Sequence, residues 1–329
     1  MYDDLINFVR RWYHSESFIP LHEPCLGEAD KEHIADAIDS TFVSSVGAYV
    51  HRFEKELAGY TGAERAVVTV NGTAALQVAL ELAGAGEGCE VVTQALTFVA
   101  TANAVSYTGA VPVFLDVEME TLGLSPDALA GFLERYAEKA GDRIFNKESG
   151  KRIAAVVPMH TFGHPCRMEQ LTEVAQKWNI PVIEDAAEAL GSSISSRHCG
   201  TFGKMGVFSF NGNKTITSGG GGAIITNDQS LADRAKHLTT TAKVNHPWEF
   251  VHDEIGYNFR MPNLNAALGC SQLRRLDAFL KDKRGLAAAY ETFFSEIDDY
   301  DIFREPTDCK SNYWLNAVIT PDKQRRDEL

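Results

Sequence analysis

Short apolar runs alternate with stretches of helical periodicity along most of the chain. The apolar runs lie at 66–70, 90–94, 111–115, 153–158 and 181–184. Helical patterns follow at 73–82, 97–107, 127–139 and 168–178. This alternation predicts an α/β fold with a mostly parallel central sheet and helices on both faces. In such a fold, ligands bind beyond the carboxyl ends of the strands, so the residues after each run are the candidates for chemistry.

The pattern changes after residue 227. The elements predicted there are a helix at 229–240, a long helical tract at 263–296 that is open to a break near Asp282, and a strand at 314–320. We therefore predict a large domain over residues 1–250, which includes an N-terminal helical segment. A smaller α+β domain is predicted over residues 251–329.

The net charge and the lengths of the apolar runs limit which kinds of molecule the protein can bind. The chain has 329 residues, with 31 Lys and Arg against 45 Asp and Glu, which gives a formal net charge of −14. Such an acidic protein is a poor partner for nucleic acid or an anionic membrane, although a local anion pocket remains open. No apolar run approaches the roughly 20 residues that cross a bilayer, and the first residues carry acids where a signal peptide carries bases. The sequence therefore predicts a cytoplasmic protein.

Cysteine spacing bears on metals and redox state. The six cysteines lie far apart and include no C-x-x-C pair. This spacing argues against a zinc knuckle and against a disulfide framework. Reduced thiols and no metal site are expected.

Two predicted strand ends carry polar residues. The run at 66–70 is followed by Asn71-Gly72-Thr73. Glycine and threonine at a helix start offer free backbone N–H groups and a hydroxyl, and the helix dipole favours an anion such as phosphate there. The same residues also form ordinary helix N-caps. The run at 181–184 ends in Glu184 before Asp185, and two adjacent carboxylates suit either a charged task in a cleft or a solvated turn.

A third segment contains Lys214, among amide and hydroxyl side chains and shortly before four glycines at 219–222. Glycines let a backbone approach a ligand closely because they lack Cβ. A lysine on a surface loop is the plain alternative. However, apolar residues bracket the segment at 207, 208, 210 and 223–225. They indicate that the lysine lies close to the core. A fourth segment, 256–263, leads into the long helical tract.

Together these pieces fit one cofactor, pyridoxal 5′-phosphate (PLP). A phosphate cradle supplies its anchor, a carboxylate at a strand end can keep the pyridine nitrogen protonated, and a lysine supplies the Schiff-base amine. Burial beside the cofactor would favour the neutral amine that this chemistry needs.

The order and spacing of these motifs resemble the DegT/DnrJ/EryC1/StrS family of sugar aminotransferases, which are fold-type I PLP enzymes. The resemblance runs from about Pro20 to the end of the chain. It is carried by VIEDAAEALGS, FSFNGNKTITSGGGGAIIT and EIGYNFRMPNLNAALG. Several distinct motifs in the family's order argue against a chance match.

The resemblance implies a role for each matched residue. Lys214 is matched to the Schiff-base lysine, which also carries the proton between the amino carbon and the cofactor. Asp185 is matched to the partner of the pyridine nitrogen. The other cofactor contacts that it implies are Gly72, Thr73 and Ser209 at the phosphate, Asn258 of the partner subunit at the same phosphate, Phe98 over the ring, and Glu188, where many members carry His or Gln.

A contact from a second subunit implies a homodimer with shared active sites. Arg260 is a candidate for the carboxylate of the amino donor, because a guanidinium pairs well with a carboxylate. His160 follows the run at 153–158, at the mouth of the cleft, and is a candidate substrate contact, although a structural role is favoured for it. For Phe98, a place in the core is the alternative.

The resemblance implies transfer of an amino group from L-glutamate to a nucleotide-linked keto-sugar, in the synthesis of bacterial surface polysaccharides. Relatives that remove a sugar hydroxyl carry histidine where this chain has Lys214, so the lysine favours transamination. The segments VSSVGAYVHRFE and NHPWEFVHDEIGYNFRMPN resemble most the subgroup that aminates C4 of UDP-4-keto-6-deoxy-N-acetylhexosamines, on the way to bacillosamine or legionaminic acid. The alternatives are a catalytically idle sensor or regulatory module with the PLP fold, and a dehydratase-like relative.

Family members generally continue for some tens of residues past the segment that matches SNYWLNAVIT. The small domain is therefore expected to be incomplete, while every implied cofactor contact lies before residue 261.

Overall fold

The structure is a computed structural model that describes residues 2–328. Its helices are α1 (Tyr2–Tyr13), α2 (Glu28–Asp39), α3 (Ala48–Thr61), α4 (Gly72–Leu82), α5 (Val99–Tyr107), α6 (Pro126–Tyr136), α7 (Met168–Lys177), α8 (Gln229–Thr239), α9 (Asn263–Phe294) and α10 (Lys323–Glu328). Its strands are β1 (Arg65–Thr69), β2 (Cys89–Gln94), β3 (Val111–Leu115), β4 (Ala137–Ala140), β5 (Arg143–Asn146), β6 (Arg152–Val157), β7 (Ile183–Asp185), β8 (Ser193–Ile194), β9 (Arg197–His198), β10 (Met205–Ser209), β11 (Gly222–Thr226), β12 (Asp301–Ile302), β13 (Cys309–Lys310) and β14 (Val318–Ile319).

The central sheet has the spatial order β1-β11-β10-β7-β6-β2-β3. Hydrogen-bonded ladders join β1, β11, β10 and β7 into one half of the sheet and β6, β2 and β3 into the other half. Two parallel bridges, Val156 to Val182 and Met159 to Asp185, connect the two halves. Only β11 of these strands runs against the others, because it pairs antiparallel with both β1 and β10. The mostly parallel sheet expected from the sequence is confirmed.

The apolar runs become strands because the sheet is covered on both faces. Every residue of β2 and β11 is buried, as are nearly all residues of β1, β6 and β10. Helices α4, α5 and α8 pack on one face, while α3 and α9 cover one part of the other face and α6 and α7 cover the rest. A strand that is buried on both sides needs a nearly continuous apolar sequence, and the runs have that pattern.

The helix predicted at 127–139 ends earlier, at Tyr136. Ala137 takes an extended conformation, and residues 137–140 pair with β5 as an antiparallel hairpin. Gly141 supports the turn with a positive φ of 65°. Because residues 138–140 are exposed, no apolar face continues the helix there.

Two expectations for the C-terminal part are also corrected. The tract at 263–296 forms one helix, α9, without a break at Asp282, since Leu276, Leu280 and Ala287 keep one face buried across that point. The strand expected at 314–320 is reduced to β14, which pairs with β12. The residues just before β14 do not join a sheet, because Tyr313 has a positive φ of 47° and Trp314 turns towards the Lys214 loop.

The state of the cysteines and the length of the helices can be compared with the sequence predictions. All six cysteines are free thiols. Within residues 2–328, the helices are too short or too polar to cross a membrane.

His164 lies where the C-terminal segment packs against the large sheet. Its buried ring meets Phe303 and Tyr313 edge-on, with ring centroids 4.6 and 5.1 Å away. Neither ring nitrogen has a hydrogen-bond partner among the described residues. Burial lowers the pKa of His164 to about 4, against a weaker opposing effect of Glu305. The histidine is therefore packed as a neutral aromatic side chain.

We predict that His164 makes the fold sensitive to acid. Between about pH 6.5 and pH 4 the unfolded chain binds a proton that the folded chain does not, so stability falls as the pH drops through this window. The variant His164→Leu should lose about 2 kcal/mol less stability than the wild type between pH 7 and pH 5. Urea unfolding of the cofactor-free protein measures this difference. His51→Leu, at a histidine whose side chain is 80% exposed, is the control, and an equal pH dependence of wild type and His164→Leu would contradict the prediction.

Candidate active site

Three parallel strands of the central sheet end at one edge and bring the predicted site together. β1 ends at Thr69, β7 at Asp185 and β10 at Ser209. α4 begins directly after β1, and the loop that carries Lys214 follows β10. This edge is where a ligand is expected in an open α/β sheet.

The start of α4 forms a cradle for an anion. Asn71 caps the helix, and its Oδ1 accepts the N–H of Ala74 at 2.8 Å. The N–H groups of Gly72 and Thr73 lie in the first turn, where a helix offers no acceptor of its own. Gly72 is in close contact with Ser209, since a Cβ on the glycine would lie 2.9 Å from the Cβ of the serine.

The glycine run shapes this cradle from behind. Gly222 packs directly against the backbone of Asn71 and Gly72, and a side chain there would overlap their atoms. The close approach that the sequence predicts for the glycines is therefore made, at Gly222, to the cradle itself. The amides of the first turn, the Ser209 side chain and the helix dipole together fit a phosphate group.

Asp185 is buried at the end of β7. Its Oδ2 accepts the hydroxyl of Thr101 at 2.7 Å, and its Oδ1 accepts the N–H of Ala187 at 3.2 Å. Thr101 in turn meets Thr97 at 2.7 Å, and Phe98 lies between them at the start of α5 with 65% of its surface exposed. A fixed carboxylate with an exposed ring nearby fits the two contacts expected for a pyridine ring, and Phe98 is not a core residue.

Glu184 has a different role from its neighbour. Side chains alternate along a strand, so adjacent carboxylates point to opposite faces. Glu184 accepts the backbone N–H groups of Gly200 and Gly203 at 2.7 and 2.6 Å and meets Nε2 of His160 at 3.1 Å. The two carboxylates that the sequence analysis considered together are therefore separated into one at the site and one in the scaffold.

His160 belongs to this scaffold. Its ring is fully buried, and its Nδ1 accepts the backbone N–H of Cys166 at 3.1 Å. With Nε2 against Glu184, both ring nitrogens are bonded within the chain. This position supports the structural role and leaves no ring nitrogen for a substrate.

The amine of Lys214 is held by two side chains. Its Nζ lies 3.3 Å from Oε1 of Glu188 and 4.0 Å from the centre of the Trp314 ring. The other oxygen of Glu188 accepts the N–H of Phe162 at 2.9 Å. Burial raises the pKa of Glu188, and the Lys214 charge opposes this rise. The lysine side chain is only 12% exposed, so the sequence alternative of a surface lysine does not apply.

Asn312 ties the segments around Lys214 to one another. Its buried amide nitrogen donates to the carbonyls of Glu188 and Leu190 at 2.7 and 2.9 Å and approaches the Thr215 hydroxyl at 3.2 Å. Its Oδ1 accepts the N–H of Trp314 at 2.8 Å. Gly163 makes room for this side chain, because any Cβ there would overlap its oxygen.

Trp314 also holds the loop that carries Lys214. Its indole N–H donates to the carbonyl of Asn213 at 2.6 Å, next to the lysine. Thr101, Asn312 and Trp314 are not among the site residues predicted from the sequence. The only local signal was the polar pair Ser311-Asn312 before aromatic residues, since the contacts themselves span 84 to 124 positions along the chain.

Asn258 and Arg260 lie along the outer edge of β1. The backbone of Arg260 forms a bridge with Thr69, and its Nε donates to Oδ1 of Asn258 at 3.0 Å. Asn258 is exposed and Arg260 is partly buried. Their predicted contacts with phosphate and with the amino donor are not tested by a single chain and stay predictions.

The sheet order and the site together define a fold-type I PLP-dependent aminotransferase. The model of the DegT/DnrJ/EryC1/StrS aminotransferase family matches residues 24–329. The chain belongs to this family, and its expected fold type, cofactor and enzyme class, a PLP-dependent sugar aminotransferase, are confirmed.

Three relatives illustrate the match. The GDP-perosamine synthase of Escherichia coli O157:H7 is 38% identical over 312 residues, which are 95% of this chain and 80% of that protein. The putative PLP-dependent aminotransferase EpsN of Bacillus subtilis (strain 168) is 36% identical over 91% of this chain and 74% of its own length. The crystal structure of the aminotransferase TlmJ from Streptoalloteichus hindustanus superposes with a TM-score of 0.86 at 31% identity and covers 95% of this chain and 81% of that chain.

We predict that Asn312→Leu destabilises the protein by about 3 kcal/mol or more, because it leaves buried carbonyls without a donor. Urea unfolding of the cofactor-free protein provides the measurement. Asn227→Leu makes the same change at an exposed site with one hydrogen bond, to the N–H of Glu64, and should cost about 1 kcal/mol or less. Equal losses for the two variants would show that the Asn312 bonds do not organise the site.

Proposed function

We propose that this protein transfers the amino group of L-glutamate to the keto carbon C4 of a nucleotide-linked 4-keto-6-deoxy sugar that enters bacterial surface polysaccharide. One observation carries the proposal: the Lys214 amine, the Asp185 carboxylate and the cradle at α4 meet at the same edge of the sheet. This is the donor set that PLP requires.

The proposed roles follow from the surroundings of each residue. Gly72, Thr73 and Ser209 would hold the phosphate, Asp185 would pair with the pyridine nitrogen, and Phe98 would contact the ring. When bound, PLP supplies an electron sink for the carbon that carries the amino group. Thr101 and the N–H of Ala187 fix the Asp185 carboxylate, so it needs no reorganisation to meet a positive charge.

Lys214 is the proposed proton carrier. A general acid–base group must lie within hydrogen-bond reach of the proton that it moves. Glu188 and Trp314 hold the Lys214 amine in a nearly buried position, where its proton can be given up and regained. Arg260 is proposed to bind a carboxylate of glutamate.

The nucleotide and the sugar are proposed as a class. The subgroup resemblance favours a UDP-linked N-acetylated sugar, whereas the relative from E. coli is named for GDP-perosamine. Both readings share a sugar on a nucleoside diphosphate. A panel of GDP- and UDP-linked 4-keto-6-deoxyhexoses, with and without the N-acetyl group, identifies the member that is aminated, by product mass and NMR.

A homodimer with shared sites is proposed from the position of Asn258. The side chain is exposed beside β1, the edge strand of the central sheet. Asn258 of the partner subunit would then reach the phosphate at the start of α4.

We expect the protein loaded with PLP to be yellow and to lose its visible band on addition of L-glutamate, with the band restored by the keto-sugar. Lys214→Ala removes the amine and should abolish the borohydride-sensitive band. Lys204→Ala, at an exposed lysine, is the matched control and should behave as the wild type.

Three results would contradict the proposed function. A protein that takes up no PLP would rule out the cofactor assignment. A band that glutamate leaves unchanged would instead indicate the idle regulatory module, and loss of a sugar hydroxyl without amine transfer would indicate the dehydratase-like alternative.

Shared sites make a prediction for mixed dimers. Asn258→Asp should weaken cofactor binding by charge repulsion with the phosphate. Dimers reassembled from Asn258→Asp and Lys214→Ala chains contain one site that bears both changes and one that bears neither. At limiting PLP, the mixture should therefore show more transaminase activity than either variant alone, and sites built from a single chain would give no such increase.

A further inference from the structure

A buried hydroxyl faces the carboxylate of Asp185 from a neighbouring helix. Thr101 belongs to the buried face of α5, together with Ala104 and Val105, and has no exposed surface. Its Oγ1 donates to Oδ2 of Asp185 at 2.7 Å. Among residues 2–328, this is the one hydrogen bond that the carboxylate receives from a side chain, since its other bond comes from the backbone N–H of Ala187.

A second hydroxyl continues this contact towards the surface. Oγ1 of Thr97 lies 2.7 Å from Oγ1 of Thr101, and Thr97 is partly exposed. A hydroxyl has one proton to donate. Because Thr101 gives its proton to Asp185, Thr97 must be the donor in the contact between the two threonines. The direction of both bonds is therefore fixed, from Thr97 through Thr101 to Asp185.

The direction of these bonds decides what Asp185 can bind. Each carboxylate oxygen already receives a proton from the chain, one from Thr101 and the other from Ala187. A carboxylate in such surroundings accepts hydrogen bonds and donates none. Its free lone pairs therefore select a partner that brings its own proton. For a pyridine ring, this partner is the protonated nitrogen, the form that withdraws electrons from the reacting carbon.

We propose that Thr101 is a positioning residue, which acts through Asp185 to keep the proton on the pyridine nitrogen of PLP, and that Thr97 supports it. Because Thr101 has no exposed surface, it acts through Asp185 and not on a ligand directly. A hydroxyl that accepts a hydrogen bond donates its own more strongly, so Thr97 has the smaller effect of the two. The inference rests on the contact between Asp185 and the pyridine nitrogen in the proposed function.

The proton on the pyridine nitrogen can be observed directly. Wild type, Thr101→Val, Thr101→Ser and Thr97→Val are loaded with PLP that carries ¹⁵N in the ring, and the NMR shift of this nitrogen is recorded at one pH. Valine has nearly the shape of threonine but no hydroxyl, whereas serine keeps the hydroxyl. Thr172→Val is the matched control, because the Thr172 hydroxyl bonds the carbonyl of Met168 within α7.

We expect Thr101→Val to move the ¹⁵N shift towards that of an unprotonated pyridine. The same variant should lose its visible band with L-glutamate about 10-fold more slowly, since a hydrogen bond to a charged group is removed. Thr97→Val should slow this step about 2-fold. Thr101→Ser and Thr172→Val should keep the wild-type shift and rate.

Two outcomes would overturn the inference. An unchanged ¹⁵N shift in Thr101→Val, with or without a slower reaction, would mean that Thr101 does not act on the ring nitrogen. A loss that Thr101→Ser shares would mean that the threonine only fills space. The proposed function fails separately, in the wild type itself, if the loaded protein has an unprotonated ring nitrogen or does not react with glutamate.

Discussion

The alternation of side chains along β7 points two neighbouring carboxylates to opposite faces of the sheet and so gives them different roles. Glu184 faces the scaffold and gathers two backbone N–H groups and a histidine, while Asp185 faces the site. A carboxylate buried without such donors would be costly. The scaffold bonds of Glu184 fix β7 beside β10, and that register places Asp185 at the same edge as the loop of Lys214. The site therefore depends on the polar network beneath it.

The Lys214 amine lies in a region where charge must be balanced. Glu188 offers Lys214 a negative partner, and Trp314 offers the face of an aromatic ring. Attraction between a cation and a ring adds to the ion pair without a second buried charge. Asn312 holds both partners from the C-terminal segment, which is far from Lys214 in sequence. The segment after α9 thus helps to position Lys214, although the family resemblance implies no cofactor contact in it.

Much of the fold follows from local sequence. Runs such as 66–70 and 90–94 are apolar throughout because both faces of the sheet are covered, and this pattern is visible without a structure. Lys214 and Asp185 are recognisable because each lies in a short motif. Thr101, Asn312 and Trp314 were not found, because their roles arise from contacts between distant segments. The β4–β5 hairpin was missed because the helical pattern predicted at 127–139 runs into its first strand.

The unbroken course of α9 limits where this enzyme can adapt. Its first half is packed between α2, α3 and the sheet. Its second half is a wall of a cavity of about 550 Å³ beside Lys214, which α1 and residues 19–25 and 313–318 also line. A straight helix anchored in the core cannot bend that wall towards a smaller or larger ligand. Changes in the shape of the cavity therefore fall to residues 19–25 and 313–318, two short non-helical segments. In evolution, the shape of the cavity can then change through these borders while the edge of the sheet that carries Asp185 stays fixed.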